Sequence, residues 1–388
     1  MVDKIWNDPP EWNQEPIEIH DIEYAGKTIH EKLQITVESL EQSGFSTSLV
    51  TRLDDIAWLL NIRGRDIPYS PVVFAYFLFD KSDDGTWKYT IYPRDILKFR
   101  TDIQHHLCPM GESCVEISDK YNSITDELKK FTGTVLLPGT GTTYGIDAAV
   151  QEGNSVTGGK VDDGHCPIEY QKSIKNEVEI EWIRHFLLDD SVAICEALMI
   201  VEDNINNDIE YSEMDVANQL IKSRGDISGE LYRGESFGAI AAAGPNGASN
   251  HYEPTEDDYR QIYKNETFLL DCGGQYLGGT SDVTRTLFTG TPTDEIKHRY
   301  TRVLQGNIRL ANGIFPDNTP GYKMEPLARQ PLFKDHQMYG HGTGHGIGYY
   351  LLVHEAPNGI GGGPSSYNYA GYVSKSDNIH HTPSNTVV

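Results

Sequence analysis

Asp271 and Asp282 stand on either side of the glycine-rich stretch Cys-Gly-Gly-Gln-Tyr-Leu-Gly-Gly-Thr-Ser, and His345 follows in Gly-His-Gly-Thr-Gly-His-Gly-Ile-Gly. Two carboxylates and an imidazole are donors that a divalent cation takes. The run Phe268-Leu269-Leu270 before Asp271 reads as a strand ending on a carboxylate, and the returning strand opens at Asp282. Gly273, Gly274, Gly278 and Gly279 permit a tight reversal between them. Such a hairpin brings two like charges together, and they repel unless a cation lies between them or one is protonated. All-oxygen donors suit Mn2+, Mg2+ or Ca2+, and an added imidazole moves the preference toward Mn, Fe, Co or Zn. Taken alone, the hairpin also reads as two solvated turn aspartates.

The histidines weigh against that second reading. His341 and His345 have i, i+4 spacing, as in H-E-x-x-H, but Gly342-Thr343-Gly344 between them disfavours a helix. A glycine-rich segment instead lets backbone pass close to a metal. His354 lies further along, and His251 follows the turn Gly244-Pro245-Asn246-Gly247. Each alone is an ordinary structural histidine; four in glycine-rich contexts beside the hairpin point to a site.

The elements that must position these groups alternate between helix and strand. Thr28 to Ser43 carries a helical apolar pattern, and a short helix starts near Thr51 with Asp54 and Asp55 in its acid-favouring first turn. Val72 to Phe79 is a continuous apolar run, the mark of a strand buried on both faces, and Val135-Leu136-Leu137 suggests another. These imply an α/β domain over residues 1–172, after a lead-in of about 20 residues. Leu137 to Gly145 lacks the Lys-Ser/Thr ending of a phosphate loop and reads as a surface loop.

A second domain spans 173–388. It opens with a long helix, Glu177 to Asn204; Ser212, with Asp215 completing a capping box, starts the next; Thr293 starts a third that runs to Ala311. Strands are expected near Ala241 to Ala243, Thr267 to Asp271 and Val283 to Phe288.

The net charge of −25 argues against nucleic acid and anionic membrane as partners. No secretory leader is read at the N-terminus. The five cysteines are odd in number and widely spaced, without a C-x-x-C pair, so neither a zinc knuckle nor a disulfide framework is expected. Ordinary thiols in a reducing cytoplasm are the expectation.

Four stretches carry a resemblance: LDDIAWLLNIRGRDIPYSPVVFAY (53–76), GPNGASNHYEP (244–254), LLDCGGQYLGGTSDVTRT (269–286) and YGHGTGHGIGYYLLVHEAPNGI (339–360). The chain resembles the pita-bread metallopeptidases, most of all the cytosolic Xaa-Pro aminopeptidases. That resemblance implies a creatinase-type α/β domain followed by a pita-bread (α+β) domain. It implies metal ligation by Asp271, Asp282 and His345, with His251, His341 and His354 lining the site to orient the scissile carbonyl and stabilise the tetrahedral intermediate. The implied cofactor is manganese, two ions in the family, activating water. The implied substrates are peptides with proline second, and the implied assembly is a homodimer in the cytoplasm.

The family pattern continues into an E-P-G segment and a further Glu, which complete the metal shell. This sequence has no Glu after Glu355; Asp377 stands roughly where the first would be, followed by Asn-Ile-His380-His381. The expectation is an incomplete pita-bread domain with an irregular tail over about 361–388, one metal or none, and impaired activity. The rival reading is a non-catalytic binding or regulatory protein on the same scaffold; a prolidase-like dipeptidase is a third.

Overall fold

The computed structural model describes residues 5–8, 12–109, 114–130, 134–137, 141–157, 160–162, 166–316 and 319–361. Asp377, His380, His381 and most of the expected tail lie outside them. Contacts divide the chain into Met1–Lys172 and Ser173–Val388.

In the first unit α1 (Ile29–Gln42) begins at the start of the expected helical pattern, with Thr28 as its cap. Thr28 Oγ1 accepts from Glu31 N at 3.2 Å and Glu31 reaches back to Thr28 N at 2.7 Å, satisfying two orphan helix-end donors. The strands β1 (Thr47–Val50), β2 (Ala75–Lys81), β3 (Trp87–Pro93), β4 (Val115–Ile117), β5 (Thr134–Leu136) and β6 (Lys160–Asp162) form one mixed sheet of order β4-β3-β2-β1-β5-β6. β2 is central, with Phe77, Leu78 and Phe79 buried on both faces. It starts later than the apolar run: Val72 and Val73 are buried ahead of it, and Phe74 N donates to Asp66 Oδ2 at 2.7 Å. The lead-in is packed rather than a free linker. Glu18–Ile19 pairs with Ile62–Arg63, and Trp12 meets Phe74 edge-on beneath the Arg94 guanidinium.

One expectation fails here. Cys108 and Cys114 are disulfide-bonded, with Cα atoms 4.2 Å apart, because the end of the Thr101–Leu107 helix returns beside the start of β4. Their spacing matches no familiar motif, so the sequence does not announce the bond. Asp54 and Asp55 occupy the first turn of α2 (Leu53–Leu59) as expected, and both are buried there. Lys172 Nζ lies 2.7 Å from Asp54 Oδ2 and 3.4 Å from Asp55 Oδ1, and Arg52 bridges to Asp54, Asp55 and Glu169.

In the second unit α3 (Glu177–Asn206) and α4 (Glu213–Ser228) pack against a sheet. β7 (Tyr232–Glu235) and β8 (Ile240–Ala243) precede β9 (Thr267–Cys272). β10 (Gly274–Tyr276), β11 (Gly279–Thr280) and β12 (Val283–Phe288) follow. The order is β8-β9-β12, with a second small sheet β11-β10-β7. Strand periodicity sends Phe268, Leu270 and Cys272 into the core with Ile194, Ala197, Val201, Val216 and Leu220. Leu269 and Asp271 therefore face the other way. α5 (Asp294–Ala311) is capped by Thr293, and α6 spans Glu325–Phe333. β13 (Gly344–Gly346) pairs with β14 (Glu355–Ile360). Among the described residues no helix is long and apolar enough to cross a membrane.

Candidate metal centre

β9 and β12 run antiparallel with Asp271 opposite Thr284 and Cys272 opposite Val283. Asp282 is therefore set at the mouth of the ladder beside Asp271. The expected tight reversal is an excursion instead, since β10 and β11 form a hairpin of their own that pairs with β7. Gly273 makes the departure possible: a Cβ there would lie 2.0 Å from the Ser281 carbonyl oxygen. Its own carbonyl accepts from Ser236 N at 2.9 Å and from Arg224 Nη1 at 3.2 Å. Arg224 is fully buried, donates to Asp190 Oδ1 at 2.8 Å and Glu235 Oε2 at 2.6 Å, and so anchors the carboxylate hairpin from beneath.

The histidine segment is tied to that hairpin. Gln275 Nε2 donates to the Leu351 carbonyl at 2.7 Å, and Thr280 Oγ1 accepts from Leu351 N at 3.3 Å. The disfavoured i, i+4 helix is absent; His345 sits in β13, opposite Gly359 of β14. The intervening loop turns back and brings the His354 ring to 4.1 Å from that of His345, centroid to centroid.

His345 Nε2 lies 3.1 Å from Asp282 Oδ2, and one ligand atom from each of Asp282, His345 and His354 falls within 4.8 Å of the others. His345 Nδ1 is 2.7 Å from the Gly346 carbonyl oxygen, so that nitrogen carries the proton and Nε2 faces the carboxylate. A lone pair facing a carboxylate calls for a proton or a cation between them. Asp271 Oδ1 is buried and accepts no hydrogen bond among the described residues. Burial, then the nearby Asp282 charge, pushes the Asp271 carboxyl up to about 6, against opposing pulls from Thr284, His251 and His345. Desolvation opposes protonation of His345, but Asp282 and the Gly346 carbonyl outweigh it and raise its pKa. Partial desolvation and His345 lower that of His354. An orphaned buried carboxylate oxygen and an unshielded N/O donor set fit a divalent cation.

Asp271, Asp282, His345 and His354 thus come together, with His251 within electrostatic reach of Asp271 and His354. His354, expected to line the site, also offers a ligand atom to the cluster. His341 is exposed and held by other contacts: it stacks on Tyr339 at 4.6 Å, and Arg329 donates to its carbonyl at 2.8 Å. The sequence reading missed Arg224 and Glu213. Glu213 stands beside Ser212, whose capping role was legible, but only the tertiary fold shows what its carboxylate meets.

A sheet with helices on one face and a carboxylate–imidazole cluster on the other defines the metal-dependent hydrolases of pita-bread architecture. Residues 8–179 match the Creatinase/Prolidase N-terminal domain and residues 187–378 match Metallopeptidase family M24; the chain belongs to that family. A probable Xaa-Pro aminopeptidase P of Laccaria bicolor is 36% identical over 363 residues, 93% of this chain and 54% of the relative. One from Aspergillus niger is 37% identical over 370 residues, 93% of this chain and 58% of the relative. The X-prolyl aminopeptidase of Caenorhabditis elegans, described as a cytosolic enzyme with a di-nuclear active site, superposes with TM-score 0.84 at 34% identity. That match covers 94% of this chain and 58% of the other. The Xaa-Pro dipeptidase of Bacillus anthracis, at 21% identity and TM-score 0.64 over 89% of this chain and 87% of the other, shares the fold. The chain spans little more than half the length of the curated relatives it matches.

Proposed function

We propose that this chain carries the catalytic framework of a metal-dependent aminopeptidase that releases an N-terminal residue preceding proline. The observation behind the reading is the convergence of Asp271, Asp282 and His345, one Asp271 oxygen being buried without a hydrogen bond. Relatives at 36–37% identity that are named Xaa-Pro aminopeptidase P support it. Asp271, Asp282 and His345 would hold the metal, with manganese the proposed ion. When bound, a divalent metal supplies Lewis acidity toward a carbonyl and toward water.

The chain's own groups set the rest. The two aspartates make the site anionic, which favours the free ammonium of a peptide N-terminus. The Gly346 carbonyl fixes the His345 tautomer, leaving Nε2 toward Asp282. His354, its pKa lowered, stays a neutral imidazole near pH 7 and can offer one N–H to a carbonyl oxygen. His251 joins it from the opposite loop, and His341 lies at the margin. Cytoplasmic action on peptides with proline second, by a homodimer, completes the proposal.

A second reading, peptide binding without turnover, draws on one observation. Among the described residues the group of convergent ligand atoms contains one carboxylate and two imidazoles. Elemental analysis of the manganese-loaded 388-residue chain, with hydrolysis of Xaa-Pro tripeptides in the same sample, separates the two. Bound metal with proline-directed cleavage supports the first; bound metal with peptide affinity but no cleavage supports the second. Cleavage of Xaa-Pro dipeptides alone would contradict the aminopeptidase reading.

A further inference from the structure

Glu213 is the first residue of α4, and its side chain is fully buried. Its carboxylate collects donors from one loop at four places. Oε1 accepts from Ala243 N at 2.7 Å and Asn246 Nδ2 at 3.0 Å. Oε2 accepts from Tyr252 Oη at 2.7 Å and Arg260 N at 2.8 Å. Asn246 Nδ2 also lies 3.2 Å from Oε2. Ala243 and Arg260 are the two ends of the segment that leaves β8 and crosses over before β9. Asn246 and Tyr252 lie on either side of His251. A buried carboxylate is costly unless its lone pairs are filled, and here neutral donors and the start of α4 do so.

The backbone at His251 shows why such a clamp is needed. Its φ is +56°, a region that non-glycine residues adopt at a cost and keep only where surrounding structure imposes it. His251 itself is exposed. The hydrogen bonds that tie its flanks to the rigid sheet–helix core converge on one carboxylate.

We propose that Glu213 is a positioning residue for His251: it closes the 243–260 loop on the N-terminus of α4 and holds the imidazole toward the Asp271–His354 side of the site. This deepens the peptidase reading and rests on it for the role of His251. Both Glu213 oxygens are taken up by donors of the protein itself, so it acts through the loop.

The test uses the full 388-residue chain labelled at histidine Cε1, as wild type, Glu213→Gln and Tyr252→Phe. Substoichiometric Mn2+ broadens each imidazole signal steeply with proximity. The proposal expects strong broadening of His251 and His354 in wild type. In Glu213→Gln the effect on His251 should fall severalfold, with His354 unchanged; Tyr252→Phe, which removes one bond and threatens folding least, should give a smaller loss of the same kind. Equal broadening of His251 in all three proteins would overturn it. If Mn2+ leaves His345 and His354 untouched in wild type, the metal reading has failed on its own. The metal-free spectra then decide for Glu213: the His251 signal should move toward its unfolded-peptide position in both variants while His341 stays, and an unmoved His251 signal would overturn the proposal.

Discussion

Each unit buries a group of carboxylates, and the two groups are neutralised differently. In the first, Asp54, Asp55 and Glu169 are met by Arg52 and Lys172, all from the same unit. In the second, Asp271 and Asp282 have no lysine or arginine within ion-pair distance among the described residues; the only ion-pair partner is His345. A buried acid without a fixed cation is costly unless donors fill its lone pairs, it is protonated or it binds a cation from solution, and Asp271 Oδ1 has no such donor among the described residues. The first cluster therefore carries its own cations, whereas the second has the donor set that the proposed cation site requires.

The largest effects should come from breaking each cluster in its own way. Asp282→Ala should abolish metal uptake, a loss beyond the roughly 10–100-fold that removing a supporting partner of a ligand costs; calorimetric titration with Mn2+ checks this, and Asp55→Asn should leave uptake unchanged. Lys172→Met removes the fully buried one of the two cations that Asp54 and Asp55 share, leaving only Arg52, and should cost about 3–5 kcal/mol, read by urea denaturation without effect on metal binding.

How far this contrast was legible beforehand differs between the two sites. Asp271, Asp282 and His345 stood out as candidates because strand alternation, glycine and ligand chemistry are local properties. The caps at Ser212 and Thr293 were readable for the same reason. Asp54 and Asp55 were readable as helix-start acids, but not their burial, because their partner Lys172 is far away in sequence. Glu213 and Arg224 were missed on the same ground, and the Cys108–Cys114 bond because chain return is a tertiary fact.

The clusters also part in their response to pH. Burial pushes Asp55 up to about 7, with Asp54 and Glu169 adding to it and Lys172 opposing, while Lys172 and Arg52 overcome burial to lower Asp54. The folded state thus holds the Asp55 proton more tightly than the unfolded chain, whose ordinary value is 3.8. The stability it contributes is complete below that value and is lost as pH rises through about 7. Asp55→Asn should flatten that fall in denaturation midpoints measured between pH 4 and about 7.5; an unchanged slope would remove Asp55 as its cause. Metal should act on the other unit, stabilising by about 2.7 kcal/mol at 100 times its dissociation constant, with hydrogen-exchange protection gained around Asp271 and His345 and none around Asp55.

The smallest effects should not distinguish the units. Thr28→Ala and Ser212→Ala each remove one capping box and should each cost about 1 kcal/mol, read by chemical denaturation; a much larger loss at Ser212 would show that the cap also supports the neighbouring Glu213 clamp.

The most direct test of the contrast is divalent-metal stoichiometry by elemental analysis after equilibrium dialysis of wild type, Asp271→Asn/Asp282→Asn and Asp55→Asn. Metal retained by wild type and Asp55→Asn but lost from the double variant is the predicted result. Metal absent from wild type, or retained by the double variant, would contradict the assignment of the second cluster as the cation site.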